Sequence, residues 1–424
     1  MTNSTNDRSL NTERRAGTDE SKALVAEAIS LVEGFLAKQP IKRNKRRPYD
    51  QETFELTLEA VLSDLIYRHS QGFEGGLFLP RSNRLLGTNT RYRPRVWSKA
   101  LPKILNTLSN PEVALIAQQL GDQTKRRSTT VWPTQRLQEL VSHHDVDEDH
   151  FISVAPGECI ILKSAKDPDD YWNVASYQDY EDDDYTHKLR EELQEINDRL
   201  ERAPISYEYI RGMHPSVPLD TRERSMRRIF TYGSFHKGGR LYGGFWQPMS
   251  KDERLRGIRI GNEPVVELDY GQAGSRILYG MAKAPPPEND HYALEGFLGY
   301  RTGIKRIMSS MIFANKRLTK FPKGTRQEFP NQETIKDVVK AIEAKHEPIQ
   351  HLFFKGLGHD MQFIESNIMV AVLKRLNDQG ITALPIHDAV LVPKSSIEHS
   401  KSVMLEAFQE VAGVPAKVTT EEAT

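Results

Sequence analysis

Two short apolar runs, each delivering an aspartate to the end of a strand, constrain this chain more than any other feature. In EPVVELDYGQAGSRILYG the run Val265–Leu268 reads as a strand with Asp269 at its C-terminal end, after which a helix begins with Ile277 and Leu278 turned inward. In GITALPIHDAVLVP two short apolar strands flank His387-Asp388 and set that pair at a hairpin turn. Pro385, in the first of these strands, removes a ladder donor and predicts an edge or a bulge. An aspartate after a strand is most often a cap or turn residue, so each segment alone says little. If the two strands are neighbours, Asp269 and Asp388 share one patch of sheet and can hold two Mg2+ ions ~3.5 to 4 Å apart, with Mn2+ as a substitute.

Between the two aspartates, GYRTGIKRIMSSMIFANKR spaces Arg301, Lys305, Ser309 and Phe313 four residues apart, which lines them along one stripe of a helix. Ile304, Ile307, Met308 and Met311 form its apolar side. A triphosphate fits such a stripe, with Arg301 and Lys305 neutralising phosphates and Phe313 offering a flat ring to the base or sugar. A basic solvated face fits it too. Gly303 weakens the helix by up to ~1 kcal/mol relative to alanine.

At ~150 residues per domain, 424 residues predict two or three domains. Residues 1–20 are polar and aperiodic and read as a disordered tail; 21–48 hold a helix and the basic linker KQPIKRNKRR. Residues 49–145 carry helical patterns from Phe54 to Ile66, from Trp97 to Leu108 and from Val113 to Leu120, then the basic, β-branched KRRSTTVW and a last helix in QRLQELV. Helices followed by a basic hairpin predict a mostly helical, winged-helix-like DNA-binding domain. Arg91, Arg93, Arg95, Lys99 and Lys103 would face phosphates, with Lys125, Arg126 and Arg127 on the wing. A small helical domain with a basic soluble face accounts for the same residues. Residues 146–210 read as connecting strands, the acidic loop YEDDDY and a charged helix from His187 to Arg202, and residues 211–424 contain the segments with chemistry.

No apolar run reaches the ~20 residues of a membrane helix, and the N-terminus lacks an apolar signal core. Cys159 stands alone, which excludes an internal disulfide and argues against a cysteine-based zinc site. A cytoplasmic location is expected, without a membrane partner. Lys plus Arg and Asp plus Glu are both 58, so net charge by itself calls for no polyanion, and any such partner must be met by local patches.

Taken in order, these segments resemble the motifs of the superfamily that joins family A DNA polymerases and bacteriophage-type single-subunit RNA polymerases. Asp269-Tyr270-Gly271-Gln272 is similar to motif A (D-Y-S-Q-I-E), Arg301 and Lys305 with Phe313 to motif B (R-x3-K…Y-G), and Ile386-His387-Asp388 to motif C (V-H-D-E). GGRLYGGFWQ at 238–247 resembles the segments with T-G-R-L-S-S or R-G-R-V-Y, and Asp290-His291-Tyr292 resembles D-x-H or D-x-Y. The resemblance covers roughly residues 225 to 395. It implies an α+β right-hand fold with an antiparallel palm sheet and a fingers helix, the helix at 187–202 serving as a reduced thumb. It further implies template-directed nucleotidyl transfer with metal on Asp269 and Asp388, catalytic help from Lys305, and nucleotide contacts from Arg301, Lys305, Phe313, Gly274 and the Tyr270 backbone. Arg240 and His387 would touch primer-template, and nucleoside triphosphates and a replication or processivity partner complete the implied partners.

The departures from the pattern matter. Ala389 stands where family A has the motif C glutamate, Phe313-Ala314 replaces Tyr-Gly, and Gly274 occupies the place of the glutamate that closes over the sugar. Weak discrimination between ribose and deoxyribose follows, which suits primer synthesis or the replication of a mobile element. No proofreading exonuclease is legible. Two other readings fit parts of the sequence: a non-catalytic DNA-binding replication or regulatory protein with a degenerate palm, and a Mg2+-dependent nuclease or phosphatase using the same carboxylates.

Overall fold

Alternation between buried and exposed positions changes period along the chain from about two to about three and a half, and the elements follow it. The computed structural model describes residues 7–39, 45–122, 124, 127–154, 157–165, 176–210, 219–330 and 332–423. They form two units, Met1–Glu158 and Cys159–Thr424, each with its own apolar core.

The N-terminal unit runs β1 (Arg8–Ser9), β2 (Arg14–Ala16), α1 (Asp19–Lys38), α2 (Pro48–Ser70), β3 (Leu77–Leu79), α3 (Asn83–Leu86), α4 (Leu101–Leu108), β4 (Ile116–Gln119), β5 (Thr129–Pro133), α5 (Gln135–His143) and β6 (Phe151–Ser153). One sheet has the order β1-β3-β5-β4, antiparallel except for β1 on β3, and β2 pairs with β6. Thr18 and Ser21 cap α1 reciprocally, and Pro48 opens α2, where a missing N–H costs nothing. The core gathers Leu24, Val32, Phe54, Leu58, Leu62, Leu101, Leu105 and Val131.

Three expectations are corrected here. Residues 7–20 are not a disordered tail, because β1 and β2 are paired and the Asn11 N–H donates to the buried Asp64 carboxylate at 2.7 Å, which Arg68 also binds at 3.2 Å. The span 113–120 is not helical: Ala114 takes a left-handed φ of 48°, which stops a helix, and Ile116–Gln119 pairs with β5. The helix expected from Trp97 begins only at Leu101, after residues 94–100 form successive turns and with Pro102 in its first turn. The basic hairpin itself is present as β4–β5, although Lys125 and Arg126 lie outside the described residues.

The C-terminal unit contains β7 (Ile160–Leu162), α6 (Asp184–Arg202), β8 (Ile205–Tyr207), β9 (Arg227–Thr231), β10 (Ser234–Tyr242), α7 (Lys251–Gly257), β11 (Ile258–Ile260), β12 (Glu263–Tyr270), α8 (Ala273–Met281), α9 (Arg301–Phe313), α10 (Ile335–Lys345), α11 (Gly358–Asp378), β13 (Leu384–Ile386), β14 (Ala389–Pro393), α12 (Ile397–Ala412) and β15 (Val418–Glu421). Its main sheet has β12 at the centre: β14 lies antiparallel on one side with β13 at the edge, and β11 and β15 share the other. Pro385 therefore sits on an edge strand, as its missing donor requires. A second sheet, β10-β9-β7, packs on α11. The end of the acidic run caps α6 through Asp183, and Leu189, Leu193, Ile196 and Leu200 bury that helix in the unit's core. The fold is α+β, as expected.

Candidate active site of the C-terminal unit

Strand pairing brings the two aspartates together. Asp269 lies opposite Ala389 in the β12–β14 ladder, and the Tyr270 N–H donates to the Asp388 carbonyl at 3.3 Å. Successive strand residues face opposite ways, and Tyr270 is the one that turns into the core: its hydroxyl donates to the Met404 carbonyl at 2.6 Å and its ring lies 5.0 Å from Phe408. Burial pushes its phenol up. Asp269 therefore points to the other face, half-buried.

On that face the Asp269 carboxyl is pushed up to about 7, first by burial and then by the Asp388 and Glu267 charges, with Lys305 and Lys251 pulling the other way. Glu267 is neutralised by Lys251 at 2.9 Å and Arg254 at 3.1 Å. Among the described residues, neither the Asp269 nor the Asp388 carboxylate accepts a protein hydrogen bond or joins an ion pair. Two partnerless carboxylates in a partly buried patch oppose each other unless a cation sits between them. β15 closes the far side, where Thr419 Oγ1 donates to the Asp269 carbonyl at 3.3 Å.

Helix α9 presents the expected stripe. Arg301, Lys305, Ser309 and Phe313 are exposed, while Ile304, Ile307, Met308 and Met311 are buried. Gly303 has a packing reason, since a Cβ there would lie 2.5 Å from the Phe329 ring. Lys305 is, with Lys251, one of the two cations that Asp269 feels. Arg301 is engaged: its Nε meets Asp290 at 2.5 Å, and Asp290 also accepts from Gln272 Nε2 at 2.8 Å and the Tyr292 N–H at 3.1 Å. Burial would raise the Asp290 carboxyl, but the Arg301 and Tyr292 bonds outweigh it and hold it low. His291 belongs to the core, bonded to Ser275 Oγ at 2.5 Å and held to about 4 by burial and then by the Arg276 charge.

Opposite α9, a bulge at Gly238-Gly239, both with left-handed φ, re-aims Arg240 in β10. Arg240 grips Glu365 of α11 with two hydrogen bonds, 2.6 and 3.0 Å. Burial opposes its charge, but Glu365 and the nearby Asp388 more than restore it. The buried Glu365 is pushed up by desolvation against the pull of Arg240. His387 holds the turn before Asp388 with φ of 55°, its ring 5.7 Å from Tyr242. Gly274 abuts α11, since a Cβ there would lie 2.9 Å from Met361 Sδ.

Sequence reasoning thus brought Asp269, Asp388, Lys305, Arg240 and His387 to one cleft. It missed Glu365, Asp290's grip on Arg301, and Met361, because their partners lie elsewhere in the chain. Only D-H-Y at 290–292 carried a local signal.

In the N-terminal unit, Arg93 donates to the Leu86 carbonyl at 2.5 Å, Arg95 is spent on Glu52, Thr53 and the Tyr49 carbonyl, and Arg91 pairs with Glu158 at 2.9 Å. Those guanidiniums brace loops as well as contributing charge; Lys99 and Lys103 are exposed, and Arg127 closes the β4–β5 hairpin with a backbone bridge to Asp122. Among the described residues, one group of three has metal-ligand spacing, Glu27, His143 and His144 of this unit, with His144 Nε2 2.8 Å from Glu27. No helix is long and apolar enough to cross a membrane, among the described residues.

No protein-family model and no curated protein matches the chain. Among solved structures it is similar to the POL domain of Pol1 from M. smegmatis in complex with DNA primer-template and dNTP, with a TM-score of 0.33 and 9% identity. The match covers 97% of this chain and 66% of that one, so the chain spans just under two thirds of that domain's length.

Proposed function

We propose that the C-terminal unit is a template-directed nucleotidyltransferase, a polymerase palm and fingers of the family A kind, working with two Mg2+ ions. The observation that carries the reading is the pair of partnerless carboxylates, Asp269 at the end of β12 and Asp388 at the turn into the neighbouring β14, with the exposed ammonium of Lys305 nearby. Hard oxygen donors, one of them lifted to about 7 first by burial and then by the charge of the other, fit a divalent cation of the Mg2+ class. When bound there, such ions lower the pKa of an attacking 3′-hydroxyl and neutralise charge on a departing pyrophosphate.

The chain's own residues supply the rest. Lys305 faces the phosphates and stabilises charge that grows as the leaving group departs. Arg301 joins it by exchanging the Asp290 carboxylate for a phosphate, a swap between two anionic partners. Arg240, held by Glu365, and His387, held at the turn, line the side where a primer end would lie. Gly274 leaves the sugar's 2′ side without a bulky gate, so both ribo- and deoxyribonucleotides are substrates. In the N-terminal unit, the order α2-β3-α3-α4-β4-β5 with β5 between β3 and β4 supports a winged-helix-like duplex-binding module.

The test is incubation of the full chain with a primer-template, Mg2+ and all nucleotides. Extension is expected, abolished by Asp388→Asn. Shortened products without nucleotides would point to a nuclease, and intact primer with retained DNA binding to a degenerate palm.

A further inference from the structure

One cluster of side chains in the N-terminal unit has no part in the scheme above. Helix α5 ends in His143 and is capped by His144, and the chain closes tightly behind them. Asp145 takes a left-handed φ of 52°, its N–H donates to the Ser142 carbonyl at 3.4 Å, and the Val146 N–H donates to the Val141 carbonyl at 3.2 Å. This is a Schellman cap with aspartate in the place that glycine usually takes, and it is anchored by Val146, which belongs to the unit's core, and by Val141, which packs against that core. The backbone at both histidines is thereby fixed, with their rings edge-on at 5.1 Å between centroids. Helix α1 meets them with Glu27, 117 residues before His144, whose Oε2 lies 2.8 Å from His144 Nε2. One donor atom from each of Glu27, His143 and His144 lies within 4.8 Å of the others.

A single hydrogen bond does not account for the group. His144 and Glu27 satisfy each other, but His143 is brought to the same spot with no hydrogen bond or ion pair of its own among the described residues. Two imidazole nitrogens and a carboxylate oxygen are a donor set that holds Zn2+ at three corners of a tetrahedron, with water at the fourth. At bond lengths of ~2.0 to 2.2 Å such donors stand roughly 3.4 Å apart. The Glu27–His144 pair is already that close, and His143, which is exposed, closes the remainder by rotating its side chain. The cluster also sits at the C-terminal end of α5, where the last carbonyls and the helix dipole favour a cation. Mg2+ prefers oxygen donors throughout, so this group and the Asp269–Asp388 pair select different ions.

We infer that Glu27, His143 and His144 form a Zn2+ site that ties α1 to the end of α5. The inference stands apart from the polymerase reading, since it uses only residues of the N-terminal unit. The full chain is titrated with Zn2+ by calorimetry in excess Mg2+, which competes for the Asp269–Asp388 pair, and the titration is repeated on single variants of the three ligands. One Zn2+ per chain is expected to bind at this site with a Kd of about 10 μM or tighter. His143→Ala, His144→Ala and Glu27→Ala should each weaken it by about 10-fold or more. Glu27→Gln, which still bonds His144 but carries no charge, should lose affinity as Glu27→Ala does. Zn2+ should raise the Tm of the natural chain and leave that of His144→Ala where it was, while unchanged far-ultraviolet circular dichroism in the metal-free variants guards against a folding defect. Absence of Zn2+ binding, or binding that His143→Ala and His144→Ala leave unchanged, overturns the site. Full affinity in Glu27→Gln overturns it as well, because Glu27 would then only position His144.

Discussion

Replacing Asp269 by asparagine should stabilise the metal-free chain while abolishing its activity. The carboxyl is raised from 3.8 to about 7, chiefly by burial and next by Asp388. A shift of that size corresponds to about 4 kcal/mol, and because the group is only partly buried, solvent screening reduces the usable figure to about 2 kcal/mol. For the sign, between pH 3.8 and 7 the folded state keeps a proton that the unfolded state has lost. Stability therefore falls as pH rises through this window and is lowest above it. The neutral amide of Asp269→Asn escapes the penalty, so in EDTA at pH 8 this variant should resist urea by about 2 kcal/mol more than the natural chain, and the gap should close towards pH 4. Saturating Mg2+ reverses the order, since a ligand at about 100 times its Kd adds about 2.7 kcal/mol to the form that binds it. A variant no more stable than the natural chain at pH 8 in EDTA, or one that Mg2+ stabilises equally, would refute the reasoning.

Lys305→Ala should cut both turnover and nucleotide affinity, with about a 10²-fold loss in kcat/KM measured by single-nucleotide extension; unchanged kinetics would return α9 to a merely solvated face. The natural chain should use NTPs and dNTPs within about 10²-fold of each other, and Gly274→Glu should depress NTP use. Strict dNTP use by the natural chain would show that Gly274 serves only its packing on Met361, where the added Cβ comes to 2.9 Å. Duplex DNA affinity of the full chain should fall steeply with salt, and Lys99→Ala with Arg127→Ala should lower the log-log slope by about 2; an unchanged slope would remove the N-terminal unit from the contact. His387→Gly should fold with stability within about 1 kcal/mol of the natural chain, because relief of the left-handed strain offsets the added freedom of the unfolded state, yet extend primers about 10-fold more slowly.

What was legible in the sequence was local. β12, the β13–β14 hairpin, α8 and α9 each carry their period within fewer than fifteen residues, and those four elements hold Asp269, Asp388 and Lys305. The reading failed where a local pattern lost to a distant partner. Val113–Leu120 has the apolar content of a short helix, but β5 offers it a ladder and Ala114 breaks the turn. Residues 7–16 look aperiodic because their order comes from Leu77, Phe78 and Asp64, more than fifty residues away. Glu365 could not be assigned to Arg240 from sequence, since the two are brought together by α11 packing on β10.

A third kind of information is visible only in the backbone. Gln272, His387 and Tyr232 all hold left-handed φ, at 65°, 55° and 58°, and each adjoins the cleft: Gln272 binds Asp290, His387 precedes Asp388, and Tyr232 meets His359. A chain shaped for stability alone would put glycine or asparagine at such positions and gain on the order of 1 kcal/mol at each. Retaining long side chains there is costly at three separate turns, and the turns come from three parts of the sequence that have only the cleft in common. Left-handed φ is not confined to the cleft, since Ala114, Asp145 and Lys283 hold it too, so the functional weight of Gln272, His387 and Tyr232 rests on what their side chains touch and not on the strain itself. By contrast, Asn262 also holds a left-handed φ, at 66°, and is flanked by Gly261 at 60° in the β11–β12 hairpin, where asparagine and glycine are what the turn prefers.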